Sequence, residues 1–441
     1  MTARPIAAQP IAAWLDAQAC LPGRAAMRRQ VVHLSQRLQK LPQQQWALCF
    51  EDRYLFTVAL LAALHAQKTP VIPGHCRQAL LQEQLTEFDG LLTDTTLSLS
   101  CPTLQVEEGA EMAGDVLPPI THAAAVVLFT SGSTGAPRKI VKPVKCLDEE
   151  ASWLAHHWGA LLSECRIVAS VSHQHLYGLT FCIWLPMALG LDVTGPPVRY
   201  AEQLAALPPG KPYAFISSPA FLRRLDPVLP APDCRLMVSA GGVLPWPDAA
   251  AARQWFGRAV TEIYGSTETG VLAWRRRERE AVGWQPFPGV TFARDGAQHW
   301  RVRSALIPQP QGIVLDDRLD FDAAGRFQLC GRQERLIKIE DKRISLSEIE
   351  RRLLALPEVA EAVALPVCRA RRSGIGVVLV LASPVQAAAL PQLRQQWRRE
   401  LHKWLEPVAI PRFWRIVDTL PCDGQGKCAW PQLKELFDVT D

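Results

Sequence analysis

The strongest constraint on the fold is an apolar run that leads directly into a loop of glycines and hydroxyl residues. Residues 123–129 read AAAVVLF, which is typical of a parallel strand buried on both faces. The chain continues as TSGSTG over residues 130–135, and Arg138 and Lys139 follow. Glycines permit a tight turn that brings backbone N–H groups close to an anion, while hydroxyls and cations add donors and positive charge. The pattern predicts a phosphate-binding loop at the end of a buried strand.

Three other interpretations of this loop fit the sequence less well. The G-x-x-x-x-G-K-[ST] pattern of the Walker A loop and the G-x-S-x-G pattern of the nucleophile elbow do not occur in the chain. An ordinary polar turn is the remaining alternative. Six small or hydroxyl residues in a row, followed by two cations, favour the phosphate loop over such a turn.

The segments on either side of this loop predict an α/β protein with two domains. Its 441 residues are about three times the length of a typical domain. Strand-like runs separated by helix-like segments lie at residues 166–171, 214–216, 235–238 and 260–263. Beyond residue 312 the strands become short, and a helix over 347–356 begins after a Ser345 cap. We expect a large α/β domain over 1–331, with β-sheets packed against helices, and a small α+β domain over 332–441.

Charge and hydropathy exclude several classes of function. The net charge is +5, and 48 basic residues are interleaved with 43 acidic ones, whereas nucleic-acid binders concentrate positive charge on one face. An acidic protein partner or a polyphosphate ligand suits this balance. The longest apolar run, residues 179–191, is shorter than the ~20 residues that span a bilayer, and the first 20 residues lack the unbroken apolar stretch of a signal peptide. We expect a cytoplasmic protein that has no membrane span and binds no nucleic acid.

Three further motifs carry side chains suited to nucleotide chemistry. Residues 263–270 read IYGSTETG, in which Tyr264 can stack on a planar ring and Glu268 offers an oxygen ligand for magnesium. The segment DRLDFDAAGRFQLCGR at 317–332 offers a carboxylate to the two hydroxyls of a ribose. The sequence GQGK at 424–427 places a lysine on a glycine-hinged loop. Taken singly, each motif also fits a surface loop or an Asp-rich hairpin.

In their order along the chain, the four motifs resemble those of the adenylate-forming (AMP-binding) superfamily. This superfamily comprises acyl-CoA synthetases, aryl-acid and acyl-carrier-protein ligases, nonribosomal adenylation domains and luciferases. The resemblance covers roughly residues 45–430. It implies a ligase that uses ATP and Mg²⁺ to convert a carboxylic acid to an acyl-adenylate with release of pyrophosphate. The acyl group would then pass to the thiol of CoA or of the phosphopantetheine of a carrier protein, after the small domain has moved.

The resemblance also implies a role for each matching residue. The implied ATP-binding residues are Thr130, Ser131, Gly132, Ser133, Thr134, Gly135, Arg138, Gly241, Gly242, Tyr264, Gly265, Ser266, Thr267, Asp317 and Arg332. The implied catalytic residues are Thr267, Glu268 and Lys427, with Glu268 as the magnesium ligand and Lys427 as the adenylation lysine of the small domain. The implied acid-binding residues are His175, Gly178 and Gly241, and Glu334 takes the place of the family's hinge aspartate.

Three departures from the family pattern limit what the resemblance implies. Lys139 replaces a glycine and puts an extra cation near the phosphates, and Asp316 replaces the glycine before the ribose-binding aspartate. Asp341 falls where the family has a glycine that lets pantetheine approach. We therefore expect thiol transfer to be affected more than adenylation.

The sequence leaves alternatives open for the acid, for the acceptor and for whether the protein is a catalyst. Residues 175–185, HLYGLTFCIWL, contain no acidic residue to hold an α-amine, which favours a fatty, hydroxyacyl or aryl acid over an amino acid. No carrier-type segment follows Lys427, so we expect CoA or a carrier protein in trans, and the basic small domain favours the carrier protein. His173 and His175 are interpreted as pocket or core residues rather than metal ligands. A catalytically silent binder of acyl groups or nucleotide, or an adenylating enzyme with a non-thiol acceptor, is the rival hypothesis.

Overall fold

The computed structural model describes residues 7–17, 23–109, 116–131, 137–296, 299–332, 336–339, 342–369, 372–421 and 430–438. The chain divides into two compact units. One consists of Met1–Phe129 and Lys139–Gln333, and the other of Thr130–Arg138 and Glu334–Asp441. Both units mix helices and strands, so the predicted α/β fold class is confirmed. In the part of the chain that the structure describes, every helix is too short or too polar to cross a bilayer.

The first sheet contains the strand that leads into the predicted phosphate loop. Its strands are β1 (Gln45–Cys49), β2 (Thr69–Ile72), β3 (Gly90–Thr93), β4 (Thr103–Gln105), β5 (Ala125–Ser131) and β6 (Pro137–Pro143). They lie in the order β4-β3-β1-β2-β5-β6, and the pairings from β4 to β5 are all parallel. Strand β5 confirms the run expected at 123–129, two residues further along the chain. It lies between β2 and β6, so both of its edges are paired in the sheet.

The second sheet holds the YGSTETG motif. Its strands are β7 (Arg166–Ala169), β8 (Tyr213–Ser217), β9 (Cys234–Ser239), β10 (Thr261–Ser266), β11 (Gly270–Arg276) and β12 (Gln285–Pro286). The order is β12-β11-β10-β9-β8-β7, in which β7 to β10 are parallel and the last two strands antiparallel. The four strand-like runs of the sequence are confirmed as β7 to β10. Their carboxyl ends meet at one edge, where ligands of open α/β sheets bind.

Helices pack on these two sheets. They are α1 (Trp14–Ala17), α2 (Arg24–Gln39), α3 (Arg53–His65), α4 (Gln78–Glu83), α5 (Val144–Leu162), α6 (Leu176–Leu179), α7 (Leu185–Leu189), α8 (Ala201–Ala205), α9 (Pro219–Leu222) and α10 (Trp246–Phe256). A 3₁₀ turn at Ile11–Ala13 precedes α1, and a π-helical segment at Thr180–Trp184 joins α6 to α7. Helix α3 is apolar on all faces, so it is buried from Leu55 to His65. The Asp52 carboxylate accepts from the Leu55 amide at 2.8 Å and thereby fixes its start.

Antiparallel strands complete the first unit. They are β13 (Thr291–Asp295), β14 (His299–Arg303) and β15 (Ile313–Leu315) in one sheet, and β16 (Asp317–Phe321) with β17 (Phe327–Arg332) in a hairpin. An apolar cluster that includes Trp284, Leu319 and Phe327 packs between this hairpin and β11. The third motif therefore forms a hairpin, which is also what its interpretation as an Asp-rich hairpin predicts.

The second unit has its own core. A hairpin of β18 (Leu336–Ile339) and β19 (Lys342–Ser345) precedes α11 (Leu346–Leu354), and Ser345 caps α11 as predicted by accepting from the Glu348 amide at 3.1 Å. The remaining elements are β20 (Val359–Arg369), β21 (Arg372–Leu381), a 3₁₀ turn (Ala387–Ala389), α12 (Leu390–His402), a second 3₁₀ turn (Pro407–Ala409), β22 (Phe413–Ile416) and α13 (Trp430–Asp438). Trp397 and Trp414 stack at 5.8 Å in this core.

Candidate active site

The turn between β10 and β11 carries the YGSTETG motif. A bulge follows Tyr264, and the chain returns antiparallel from Gly270 onward. A Cβ on Gly265 would lie 2.2 Å from the carbonyl oxygen of Gly270, so only glycine allows the two strands to approach this closely. Thr267 and Glu268 lie at the tip of the turn and are half-buried.

Hydrogen bonds within this turn fix its shape. The Ser266 amide donates to Oγ1 of Thr269 at 3.0 Å, and the Thr269 amide donates to Oγ of Ser266 at 3.3 Å. Oγ1 of Thr269 also donates to the carbonyl oxygen of Gly270 at 2.9 Å. These bonds satisfy backbone groups on both sides of the tip and fix the shape of the turn that carries Thr267 and Glu268.

Tyr264 connects the second motif to the third. Its hydroxyl donates to Oδ2 of Asp317 at 2.8 Å, across 53 residues of sequence. Its ring packs against Trp284 and Phe327, with centroid separations of 5.8 and 5.6 Å. Asp317 in turn pairs with Arg332 in the register of the β16–β17 hairpin. The structure thus brings together three of the predicted nucleotide-binding residues.

Two buried charges beside this turn were not predicted from the sequence. Nζ of Lys142 donates to the carbonyl oxygens of Leu306 and Glu268, at 3.0 and 3.3 Å. The carboxylate of Glu150 accepts from the Val271 amide at 2.7 Å and from the hydroxyl of Thr180 at 2.8 Å. Burial lowers the pKa of Lys142, and the nearby Glu150 carboxylate opposes that shift. Nothing in a single sequence marks a lysine or a glutamate of this kind as buried.

The phosphate-loop prediction falls largely outside the described residues. Gly132, Ser133, Thr134 and Gly135 lie there, as do Glu334, Asp341 and Lys427. Thr130 and Ser131 end β5, and Arg138 is exposed on β6. Lys139 was expected to add a cation near the phosphates, but its Nζ contacts Oε2 of Glu87 at 2.9 Å. This ion pair joins the extra charge to the connection between α4 and β3, in which Glu87 lies.

The predicted acid-binding residues follow strand β7. His175 precedes α6, and its ring lies against Gly74, where a Cβ would be 2.9 Å from Cε1. A Cβ on Gly178 would lie 1.9 Å from the carbonyl oxygen of Ser172, so close backbone packing alone requires a glycine at this position. Between them, the hydroxyl of Tyr177 donates to the carbonyl oxygens of Ser217 and Val238 at 3.1 Å each. This tyrosine ties α6 to the carboxyl ends of β8 and β9.

The Gly-Gly segment also lies at this sheet edge. Gly241 and Gly242 come directly after β9, and Gly241 has a φ of +93°, a left-handed conformation that glycine adopts without strain. Gly241 is exposed and Gly242 half-buried. Both therefore occupy the edge at which β10 ends in Tyr264, Gly265 and Ser266.

His173 is a core residue. Its ring meets that of Phe56 edge-on, with centroids 4.7 Å apart, and burial lowers its pKa to about 4. Among the described residues, no three His, Cys, Asp or Glu side chains are grouped closely enough to hold a metal ion. A site for Mg²⁺ that relies on Glu268 therefore fits only the common magnesium pattern in which one or two carboxylates are supplemented by water and substrate phosphates. A half-buried carboxylate at the tip of a turn suits that pattern.

Comparison with known proteins identifies the family. The model of the AMP-binding enzyme family matches residues 58–293. A 4-coumarate–CoA ligase of Rhodobacter capsulatus is 28% identical over 320 residues, which cover 71% of this chain and 77% of the relative. An anthranilate–CoA ligase of Pseudomonas aeruginosa is 26% identical over 357 residues, covering 72% and 68% of the two chains.

A solved structure has a similar fold over nearly the whole chain. It is the o-succinylbenzoate CoA synthetase of Bacillus subtilis, with a TM-score of 0.81 at 20% identity, and it covers 97% of this chain and 98% of that one. The family match extends over more than half of the sequence and includes the TSGSTG and YGSTETG motifs. This chain belongs to the AMP-binding enzyme family.

Proposed function

We propose that this protein is an AMP-forming acid–thiol ligase that converts a carboxylic acid to an acyl-adenylate and then transfers the acyl group to a thiol. The observation that carries this proposal is the 2.8 Å hydrogen bond between Tyr264 and Asp317. It places an aromatic ring and a carboxylate side by side at the edge where β10 ends. An adenosine needs both groups, one for its base and one for its ribose hydroxyls.

In this proposal residues of the large domain expected over 1–331 bind the nucleotide. Tyr264 borders the adenine together with Gly241 and Gly242, and Asp317 accepts hydrogen bonds from the ribose hydroxyls. A carboxylate has about four acceptor sites on its two oxygens, so the bond from Tyr264 orients the group and leaves it able to accept from a ribose. Residues 130–135, with Arg138, surround the phosphates.

The chemical step needs positive charge rather than a base. The attacking acid is ionised at neutral pH, so no general base is required, but two anions must approach each other. The ammonium of Lys427 and the hydroxyl of Thr267 would stabilise the charge that develops on the α-phosphate. Glu268 would hold Mg²⁺, which supplies further charge neutralisation on the phosphates when bound.

The same assignment gives the two domains separate tasks. Residues 1–331 would bind ATP and the acid, and residues 332–441 would carry Lys427. Movement about Glu334 would withdraw Lys427 after adenylation and admit the thiol. Domain movements of this kind separate two half-reactions that need different groups at one site.

A fatty, hydroxyacyl or aryl acid is the proposed substrate. His175, Gly178 and Gly241 would border the acid. The helix after His175 has no acidic residue of its own, and Glu150, which reaches it from α5, has its two oxygens engaged by the Val271 amide and Thr180 hydroxyl. That carboxylate is only about 1% exposed, and a group buried this deeply is poorly placed to bind an α-amine. The aryl acids named for the two relatives, coumarate and anthranilate, support the aryl class.

The acceptor is proposed to be the thiol of CoA or of a carrier protein. The names of both relatives support CoA, whereas the basic small domain supports an acidic carrier protein. The alternatives of a non-thiol acceptor and of a silent binding protein predict different behaviour in the experiment below.

The test is acid-dependent exchange of pyrophosphate into ATP across aryl, fatty, hydroxyacyl and amino acids. Exchange with one acid class establishes adenylation and names the class, and addition of CoA or a carrier protein then identifies the acceptor. Exchange without transfer to any thiol would favour a non-thiol acceptor. A folded protein that binds ATP but exchanges with no acid would contradict the proposal and support the silent binder.

A further inference from the structure

Lys142 and Glu150 are both buried, each with about 1% of its surface exposed. A charge removed from water costs several kcal/mol unless partners compensate for it. Each of these two side chains finds its partners on the turn that carries Glu268 or on a segment beside it. The adenylation chemistry described above assigns neither side chain a role.

Lys142 holds the turn at its tip. Strand β6 ends next to this lysine, and the ammonium donates to the backbone carbonyl of Glu268 itself. The second acceptor is the carbonyl of Leu306, in the connection between β14 and β15. A carbonyl that accepts from a buried cation forms a stronger hydrogen bond than one that accepts from a neutral donor. The position of the Glu268 backbone is therefore tied to β6.

Glu150 holds the other side of the same turn. One carboxylate oxygen accepts from the Val271 amide, directly after Gly270. A Cβ on Gly270 would lie 2.8 Å from that oxygen, so the close approach depends on a glycine at this position. The tip of the turn is thus held on one flank by a cation and on the other by an anion.

The second oxygen of Glu150 extends this connection to the acid side. It accepts from the hydroxyl of Thr180, the first residue of the π-helical segment Thr180–Trp184. That segment continues α6, whose Tyr177 is hydrogen-bonded to the carboxyl ends of β8 and β9. Short π-helical segments within α-helices are frequent at functional sites. One buried carboxylate therefore contacts both the metal-side turn and the helix on the acid side.

We propose that Lys142 and Glu150 are positioning residues, which hold Glu268 where it can bind Mg²⁺ and couple that turn to the acid-side helix through Thr180. The inference rests on the proposed adenylation function. It predicts that removal of Lys142 acts mainly on magnesium dependence, and that removal of the Thr180 hydroxyl acts mainly on the acid.

The test compares Lys142→Met, Glu150→Ala, Glu150→Gln and Thr180→Val. The readouts are the Mg²⁺ concentration for half-maximal ATP–pyrophosphate exchange, the KM of the acid, kcat, and the melting temperature. Glu150→Gln keeps an acceptor for the Val271 amide and a partner for Thr180 without the charge. Arg277→Met is the matched control, since Arg277 is another buried cation of this unit and contacts Glu262 at 2.7 Å and the carbonyl of Leu244 at 3.0 Å.

We expect Lys142→Met to raise the half-maximal Mg²⁺ concentration at least tenfold, and Thr180→Val to raise the KM of the acid severalfold with little change in magnesium dependence. Glu150→Ala should change both, and Glu150→Gln should recover most of each. Arg277→Met should lower the melting temperature without changing magnesium dependence. The inference would be overturned if the magnesium dependence of Lys142→Met and the acid KM of Thr180→Val both stay within twofold of wild type. It would also be overturned if Arg277→Met shifts the magnesium dependence as much as Lys142→Met does.

A failure of the proposed function is distinguishable from a failure of this inference. Calorimetry measures how much Mg²⁺ tightens ATP binding without any turnover. If wild type exchanges with no acid, adenylation fails as a proposal. The positioning role of Lys142 then stands if Lys142→Met abolishes the effect of Mg²⁺ on ATP binding. It is contradicted if that effect is unchanged in Lys142→Met, or if wild type shows no such effect.

Discussion

At the scale of single residues, the bond between Tyr264 and Asp317 allows the sharpest test of nucleotide binding. Tyr264→Phe keeps the ring beside Trp284 and Phe327 but removes the hydroxyl that donates at 2.8 Å to Asp317. A hydrogen bond to a charged group contributes about 1.5–3 kcal/mol, so we expect KM for ATP to rise about tenfold or more. Titration of ATP in the exchange assay measures this.

A double variant separates direct coupling from two independent losses. If the bond orients Asp317, the effects of Tyr264→Phe and Asp317→Asn on ATP affinity are not additive, because each removes the same interaction. Tyr213→Phe is the matched control, since its hydroxyl donates at 2.6 Å to Pro208 away from the predicted site residues. Strict additivity of the two changes would show that the bond has no role in nucleotide binding.

Glu268 is expected to control the response to magnesium. Glu268→Gln keeps the size of the side chain and removes its charge, while the hydrogen bonds between Ser266 and Thr269 can still hold the turn. Mg²⁺ binds carboxylate oxygens strongly and amide oxygens less so. We expect kcat for exchange to fall about 100-fold at 1 mM Mg²⁺, with partial recovery at higher concentrations, because one charge-neutralising interaction of the transition state is weakened. A variant with unchanged magnesium response would remove Glu268 from the metal site.

His173 makes stability depend on pH. Its pKa is about 4 in the folded protein because burial opposes the charged ring, and about 6.5 in the unfolded chain. The unfolded state therefore binds the proton first, so the stability is fully present above pH 6.5 and is lost as the pH falls toward 4. The loss amounts to about 3 kcal/mol from this residue. Urea unfolding at pH 7.5 and 5.0 measures about 2 kcal/mol of this loss, because the rest appears only as the pH falls to 4 and below. His173→Leu should reduce the difference, while the exposed His122→Gln should not.

At the scale of elements, the close approach of β10 and β11 is predicted to depend on Gly265. In Gly265→Ala the new Cβ would lie 2.2 Å from a backbone oxygen, so the two strands must separate. We expect a loss of about 1–3 kcal/mol in the free energy of unfolding, together with loss of exchange activity. Gly296→Ala serves as the reference for backbone strain alone, because its φ is +73° and a Cβ there meets nothing within 4 Å, whereas Gly265 has no positive φ. If Gly265→Ala loses no stability and keeps its exchange activity, the close approach of the two strands does not require a glycine.

The elements that the sequence predicted differ in kind from those it missed. Strands β7 to β10 follow from short apolar runs, because a parallel strand buried on both faces has to be apolar throughout. The capped start of α11 follows from local hydrogen bonding by Ser345. In contrast, β4 has no apolar run of its own, because pairing with β3 rather than the local sequence forms this edge strand.

For the site, the sequence predicts the motifs but not the contacts between them. Tyr264, Asp317 and Arg332 could be named from the sequence. The bond between Tyr264 and Asp317, and the pairing of Asp317 with Arg332 in the hairpin register, depend on the packing of that hairpin against β11. Lys142 and Glu150 could not be identified, because a charged residue in a strand or helix normally faces solvent. The ion pair of Lys139 with Glu87 could not be predicted either, because its two partners are 52 residues apart and Glu87 lies in the connection between α4 and β3.

At the scale of the whole molecule, the two half-reactions are predicted to respond to different residues. Lys427→Ala should lower exchange by several orders of magnitude, because its ammonium would stabilise the charge that develops in the first step. Transfer from a chemically prepared acyl-adenylate to the thiol should change little, since the proposed movement about Glu334 removes this lysine before the second step. Rapid-quench measurements with supplied adenylate separate the two rates. Unchanged exchange in Lys427→Ala would contradict its catalytic role.

Asp341 is expected to have the opposite effect. At the position where the resemblance implies a glycine, a carboxylate would add bulk and negative charge to the path of a pantetheine arm, and would not affect the attack of an acid on ATP. We therefore expect Asp341→Gly to accelerate acyl transfer to CoA or to a carrier protein while exchange stays within twofold of wild type. Asp341→Asn, which removes the charge but keeps the bulk, shows which property matters. If Asp341→Gly leaves transfer unchanged although adenylation is intact, the acceptor does not pass this residue, and a non-thiol acceptor becomes the better explanation of the departure.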